Sequence, residues 1–144
     1  MNILRRIPAI LVMAGIFMLS AQPGEDPLLK YFNFSDKIKH FIAYFVLGIT
    51  LCMWISSQKW LAKPVFWGII VVVLCAIFGI CDEYHQSFVP GRSGNDLRDL
   101  IADFIGGIVA VFLYFFVAKS IKCAKKNSTF TSVKAPAKRT QTND

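Results

Sequence analysis

Between Pro64 and Cys81 the chain carries no charged residue. A helix over that run is about 27 Å long at 1.5 Å per residue, close to the thickness of a bilayer's hydrocarbon core. Lipid supplies no hydrogen bonds, so every N–H and C=O in the run has to be satisfied internally, and a helix does this. Pro64 suits the first turn, where its missing N–H is not needed. Three further stretches are predominantly apolar: 7–21, 35–55 and from about Leu97 to Ala118. Hydrophobic residues make up 55% of the 144, and the mean hydropathy is +0.51, which is an integral-membrane composition within the size of one domain. The expected fold class is therefore all-α, a four-helix transmembrane bundle with a polar loop between helices 3 and 4. Residues 1–118 form the expected four-span membrane domain. Residues 119–144 are basic and rich in Ser and Thr, and are expected to be a disordered tail.

Arg5 and Arg6 precede the first span, a pattern shared with signal peptides. Leu19-Ser20-Ala21 is a poor cleavage site, so the span is expected to be retained. Gln22-Pro23-Gly24 and Pro27 then break the helix, and Phe32 and Phe34 have the character of interfacial aromatics. Ser35 is an expected N-cap for the second span, with Asp36 on the positive end of its dipole. Residues 56–63 read as a short basic loop. The four cysteines, Cys52, Cys75, Cys81 and Cys123, lack zinc-type spacing and read as free thiols.

Net charge is +7, but its distribution points away from nucleic acid. Four spans place both termini and loop 56–63 on one side. That side holds Arg5, Arg6, Lys59, Lys63 and the basic tail against Asp144 alone. The positive-inside rule then puts both termini in the cytoplasm, with the lipid bilayer as a partner and anionic lipid as a contact for the tail.

With this topology the unusual polar residues converge on the opposite face. The stretch from Asp82 to Asp99 joins spans three and four and holds Asp82, Glu83, His85, Arg92, Asp96, Arg98 and Asp99, with Pro90-Gly91 and Gly94 as turn residues. Asp36, His40 and Tyr44 recur every four residues on one face of span two. Asp96, Asp99 and Asp103 share a stripe on span four, which Gly106 and Ala110 extend with small residues suited to close helix approach. Asp103 facing lipid would cost about 2.5–3.5 kcal/mol, so the stripe is expected to face the bundle interior.

Four segments together carry a resemblance. Ser20-Ala21-Gln22-Pro23-Gly24, Asp36-Lys37 with His40, Tyr44 and Leu47-Gly48, Asp82-Glu83 with Gln86, Phe88 and Pro90-Gly91-Arg92-Ser93, and Asp99 with Asp103 and Gly106 resemble the VanZ-like membrane protein family over about residues 15–110. The resemblance implies a small multi-helix bacterial membrane protein, in a family whose namesake is linked to resistance to the glycopeptide teicoplanin. It implies a site drawn from Asp36, Lys37, His40, Tyr44, Glu83, Gln86, Arg92, Asp99 and Asp103. The family pattern commonly has Asn where this chain has Asp103.

The same residues admit several readings. An external polar site can bind or modulate a cell-envelope or lipid-linked ligand, such as an anionic headgroup or a cell-wall precursor. It can also be an enzyme site, with Glu83, Asp99 and His40 as acid–base candidates and Arg92 as anion anchor, although no Ser or Cys has an evident base. Transport is a third reading, but no polar residues continue inward beyond Asp103 and Tyr44 apart from Thr50. The pairs can also simply hold helix ends in place. No cofactor is implied, and the spacing shows no metal motif of the HxxxH or HExxH kind.

Overall fold

The computed structural model describes residues 3–23, 36–92 and 94–134, with 126–134 as backbone. Among these residues all regular structure is helical. A short 3-10 turn at Ile3–Arg5 leads into α1 (Ile7–Ser20), followed by α2 (Asp36–Trp54), α3 (Ser57–Ala62), α4 (Pro64–Gln86) and α5 (Leu97–Lys134). Four helical segments are long and apolar enough to cross a membrane: Ile3–Ser20, Asp36–Trp54, Pro64–Gln86 and Leu97–Lys125. The expected four-helix membrane architecture is the one observed. Ser35, Phe32, Phe34 and Ser93 lie outside the described residues.

Each long helix has one interior stripe. On α2 it runs through His40, Tyr44, Leu47, Gly48, Leu51 and Cys52. On α4 it runs through Gly68, Val71, Cys75, Gly79, Asp82, Glu83 and Gln86. Three-to-four-residue spacing keeps these positions on one face. The other faces expose large apolar side chains such as Ile69, Val73 and Ile77 on α4 and Phe104, Val109 and Phe112 on α5. Aqueous solvent would disfavour such a surface; lipid is its natural medium.

The most extensively packed pair is α2 with α5. These helices run parallel, as spans two and four of an up-and-down chain must. Glycine sets their distance. A Cβ on Gly106 would lie 2.5 Å from the carbonyl oxygen of Phe41 and 2.9 Å from the backbone nitrogen of Phe45. A Cβ on Gly48 would lie 2.7 Å from that of Ala110. Backbone therefore meets backbone, as the small-residue stripe on span four predicts.

Three features depart from the sequence reading. The basic loop 56–63 contains α3, started by Ser56, whose Oγ accepts from the Lys59 N–H at 3.4 Å. Its reason for folding is Trp60, fully buried and edge-on to Tyr114 at 5.4 Å between ring centroids. Helix α4 runs past Cys81 to Gln86, so Asp82, Glu83 and Gln86 sit on its last turns rather than in a loop. Helix α5 runs past residue 118 to Lys134, into the segment expected to be irregular. Ala and Lys propagate helix well, and Lys119, Lys122 and Lys125 favour the negative end of the α5 dipole. Residues 135–144 lie outside the described residues.

At the bundle end bearing α3, Arg6 sits 5.3 Å from the centre of the Trp54 ring, near Trp60, Trp67 and Tyr114. Aromatics with basic residues mark a headgroup-level boundary. Gly106→Ala is expected to lower stability by about 1–3 kcal/mol through overpacking against immovable backbone. Gly15→Ala, with nothing within 4 Å of the added carbon, should be neutral or stabilising. Thermal unfolding of both variants in one detergent checks the difference.

Candidate functional site

The site lies at the other end of the bundle, where α2 and α5 begin and α4 ends. Asp36, Lys37 and His40 come from the first turns of α2, Glu83 from the last turn of α4, and Asp99 and Asp103 from the first turns of α5. Successive side chains one helical turn apart point the same way, so Asp36 stands above His40 and Asp99 above Asp103. Parallel packing of α2 on α5 then faces one column with the other.

The inner rung is an imidazole between two carboxylates. His40 Nδ1 is 2.9 Å from Asp103 Oδ1, and His40 Nε2 is 3.9 Å from Glu83 Oε1. All three residues are buried, with Asp103 at 0% exposure. An ionised carboxylate only accepts, so with Asp103 ionised this bond places a proton on Nδ1. Space for Asp103 comes from Gly79, where a Cβ would lie 2.8 Å from Asp103 Oδ2. One turn deeper, the buried Tyr44 ring lies nearly parallel to His40 at 6.5 Å and meets Phe78 at 6.2 Å. The Tyr44 hydroxyl, Asp103 Oδ2 and Glu83 Oε1 make no hydrogen bond among the described residues.

The outer rung is built on Lys37. Its ammonium is 3.1 Å from Asp96 Oδ2 and 3.0 Å from Asp99 Oδ1. Lys39 pairs with Asp36 at 3.7 Å. Asp96 ties the turn before α5 to the site: its N–H donates to Glu83 Oε2 at 2.8 Å, and its Oδ1 accepts from the Arg98 N–H at 2.8 Å. That Arg98 N–H, and after it the Lys37 ammonium, hold the Asp96 carboxyl below the usual aspartate range. The backbone of the turn is special at Asn95 (φ 66°) and Gly91 (φ 77°). Gly94 has no room for a side chain, since a Cβ would fall 2.3 Å from the Ser87 nitrogen.

Of the residues singled out in the sequence, Asp36, Lys37, His40, Glu83, Asp99 and Asp103 come together, with Tyr44 beneath them. Gln86 and Arg92 turn elsewhere. Gln86 Nε2 donates to Asp82 Oδ2 at 3.0 Å, one turn back on the same helix. Arg92 donates from Nε to the Gln22 carbonyl and from a terminal nitrogen to the Leu19 carbonyl, both at 3.1 Å. Its guanidinium caps the C-terminal end of α1, where free carbonyls and the negative dipole end attract a cation. The role of anion anchor drawn from sequence does not match this engagement. Sequence reasoning left Asp82 and Asp96 out of the site. Asp96 had one signal, its place on the Asp99–Asp103 stripe, whereas the Asp82 contact needs only the i, i+4 spacing to Gln86.

A family model for VanZ/LLP1 matches residues 6–118. The chain belongs to the VanZ/LLP1 family. The match spans α1 to α4 and most of the apolar part of α5, so it covers every residue of this site. No curated protein and no solved structure matches the chain. In this VanZ/LLP1 protein Asp103 is fully buried, with Oδ1 at hydrogen-bond distance from a histidine Nδ1.

Two outcomes follow for the site. A double-mutant cycle on His40→Ala and Asp103→Ala should return a coupling of roughly 1.5–3 kcal/mol, the range for a buried hydrogen bond to a charged group. Arg92→Ala should lower thermal stability by about 1 kcal/mol. Arg92→Lys should not restore it, because an ammonium does not reproduce the fork that reaches two carbonyls at once. Unfolding monitored by circular dichroism in detergent reads both.

Proposed function

We propose that this chain is a multi-pass protein of the bacterial cytoplasmic membrane that binds the polar headgroup of a lipid-linked or cell-envelope ligand at its external end. The observation that carries this reading is the convergence of buried His40, Glu83, Asp99 and Asp103, from three spans, at one end of the bundle, beside exposed apolar helix faces. Such a place brings a headgroup to the polar side chains while its acyl chains stay in the bilayer. Charge asymmetry supports the orientation: Arg5, Arg6, Lys59 and Lys63 stand at the opposite end, on the side of the basic extension of α5. A link of this member to glycopeptide sensitivity is part of the same reading, through changed access to an envelope component.

A second reading is favoured by one feature. His40, fixed by Asp103 with Nε2 turned toward Glu83, has the form of an acid–base relay. In that case the headgroup is cleaved or transferred rather than only held.

Native mass spectrometry of the protein released from membranes should find a co-purifying lipid-linked species. Lys37→Ala and Glu83→Gln should each reduce its occupancy at least tenfold while the helical circular dichroism spectrum is kept. If Glu83→Gln keeps the ligand but abolishes product formation from lipid-linked precursors, the enzyme reading replaces the binding one. Orientation is read independently. An impermeant maleimide should label Cys123 only after spheroplasts are permeabilised, and label an Arg98→Cys variant in intact ones.

A further inference from the structure

We propose that the polar end of the bundle holds a divalent metal ion, with Asp36, His40 and Asp99 as its protein ligands. One ligand atom from each of these residues lies within 4.8 Å of the other two. Two carboxylates and an imidazole are a mixed oxygen–nitrogen set suited to zinc, cobalt, iron or manganese in the divalent state. Donors on an ion with 2.0–2.2 Å bonds sit about 3.4 Å apart in a tetrahedral arrangement, so the set has to contract by roughly 1 Å. Asp36 can supply that movement, because it stands half-exposed at the first position of α2. Linear spacing hides the site, since two ligands come from α2 and the third from α5, and it takes the parallel register of the two helices to join them.

Two further observations point to an ion rather than to a bare acidic cluster. The first is the state of His40. With Asp103 ionised its Nδ1 donates there, and the neutral imidazole then has its lone pair on Nε2. A histidine that donates one ring N–H to a carboxylate is the usual outer partner arrangement of a metal ligand, fixing both tautomer and orientation. The second is Glu83, which is buried and whose Oε1 has no hydrogen-bond partner and points at that Nε2 from 3.9 Å. A buried carboxylate oxygen without a donor is costly, and water on a bound ion would supply one.

Charge balance leads the same way. Asp36, Glu83, Asp96, Asp99 and Asp103 gather here, and the ammonium groups that face them are Lys37 and Lys39. Arg92 is turned to the end of α1, and the Arg98 side chain is exposed. Lys37 touches both Asp96 and Asp99, so it retains Asp96 when Asp99 binds the ion. Five carboxylates against two ammonium groups leave an excess of three, of which an ion of charge +2 offsets two.

The inference stands apart from the headgroup reading, because ion occupancy is measured with no lipid ligand added. Full-length protein in nanodiscs, stripped with chelator and dialysed, is titrated with cobalt(II). The expected result is one equivalent bound per chain, with visible d–d absorption that zinc(II) abolishes by displacement. His40→Gln and Asp36→Asn should each weaken binding at least tenfold. His85→Gln should bind as wild type, since that imidazole stacks on Phe17 at 4.3 Å away from the cluster. Asp36→Asn changes a half-exposed side chain, so its loss of binding is readable with the fold intact by circular dichroism. Absence of stoichiometric cobalt in the wild type overturns the proposal, as does binding that survives both Asp36→Asn and His40→Gln or falls equally with His85→Gln.

Discussion

The hydrogen bond between His40 and Asp103, at 2.9 Å across the α2–α5 interface, fixes how the rest of the bundle is arranged. In lipid, apolar side chains gain little by leaving one apolar surface for another, so helix pairing depends on close packing and on the few polar groups present. Asp103 has no low-energy place except against a donor. His40 is that donor, and it is reachable only because Gly106 and Gly48 let the two backbones close. Gly79 on α4 then leaves the volume into which the second Asp103 oxygen projects. Glycine and acid are thus one device: the small residues bring the helices together, and the ionisable pair selects the register in which they stop.

That register governs the outer rung as well. With His40 opposite Asp103, one turn along each helix sets Lys37 beside Asp99, and the turn that precedes α5 is drawn in through Asp96. Glu83 meets this turn from α4 by accepting the Asp96 N–H. Arg92 extends the fastening to α1 through its two carbonyl contacts. All four long helices are therefore held at this end by polar contacts, whereas the opposite end relies on aromatic packing around Trp60, Trp54 and Tyr114. A rigid polar rim of this kind keeps ionisable groups pre-oriented, which is what recognition or chemistry at headgroup depth requires.

Much of this was legible in the residues because the bilayer enforces a simple grammar. The uncharged run after Pro64 could only be a span, and the Asp99–Asp103–Gly106–Ala110 stripe could only face inward, since the alternative puts a carboxylate in hydrocarbon. The family match over residues 6–118 spans the same side chains. What escaped was decided by partners distant in sequence or by backbone. Arg92 is separated from Leu19 by 73 residues, and its target is a carbonyl, which has no residue signature. The short helix at Ser57–Ala62 exists because Trp60 has a berth against Tyr114, which periodicity over six residues cannot reveal. The extension of α4 through Gln86 was obscured because charged residues were read as the end of the helix, whereas they mark only the end of its lipid-facing part.

The charge of the finished site narrows its chemistry further than its composition does. In the sequence, Arg92 reads as an anion anchor, with Lys37 in the same implied site. In three dimensions Arg92 is occupied at α1, and Lys37 and Lys39 stand against carboxylates. A phosphate placed beside Asp99, Glu83 and Asp103 would meet like charge in a medium that screens it poorly. On the proposed reading, a headgroup at this end therefore has to present hydrogen-bond donors, such as sugar hydroxyls or an amine, or arrive through a bridging cation. Clefts of about 600 Å³ do exist, one lined by Trp54, Trp67 and Leu74 together with Arg5, Ser56 and Lys59, and one by Val65, Phe104 and Phe112, but neither holds a carboxylate. The second fits hydrocarbon. Apolar surface is thus spread over several helix faces, whereas buried carboxylate oxygens without donors gather at one end of the bundle.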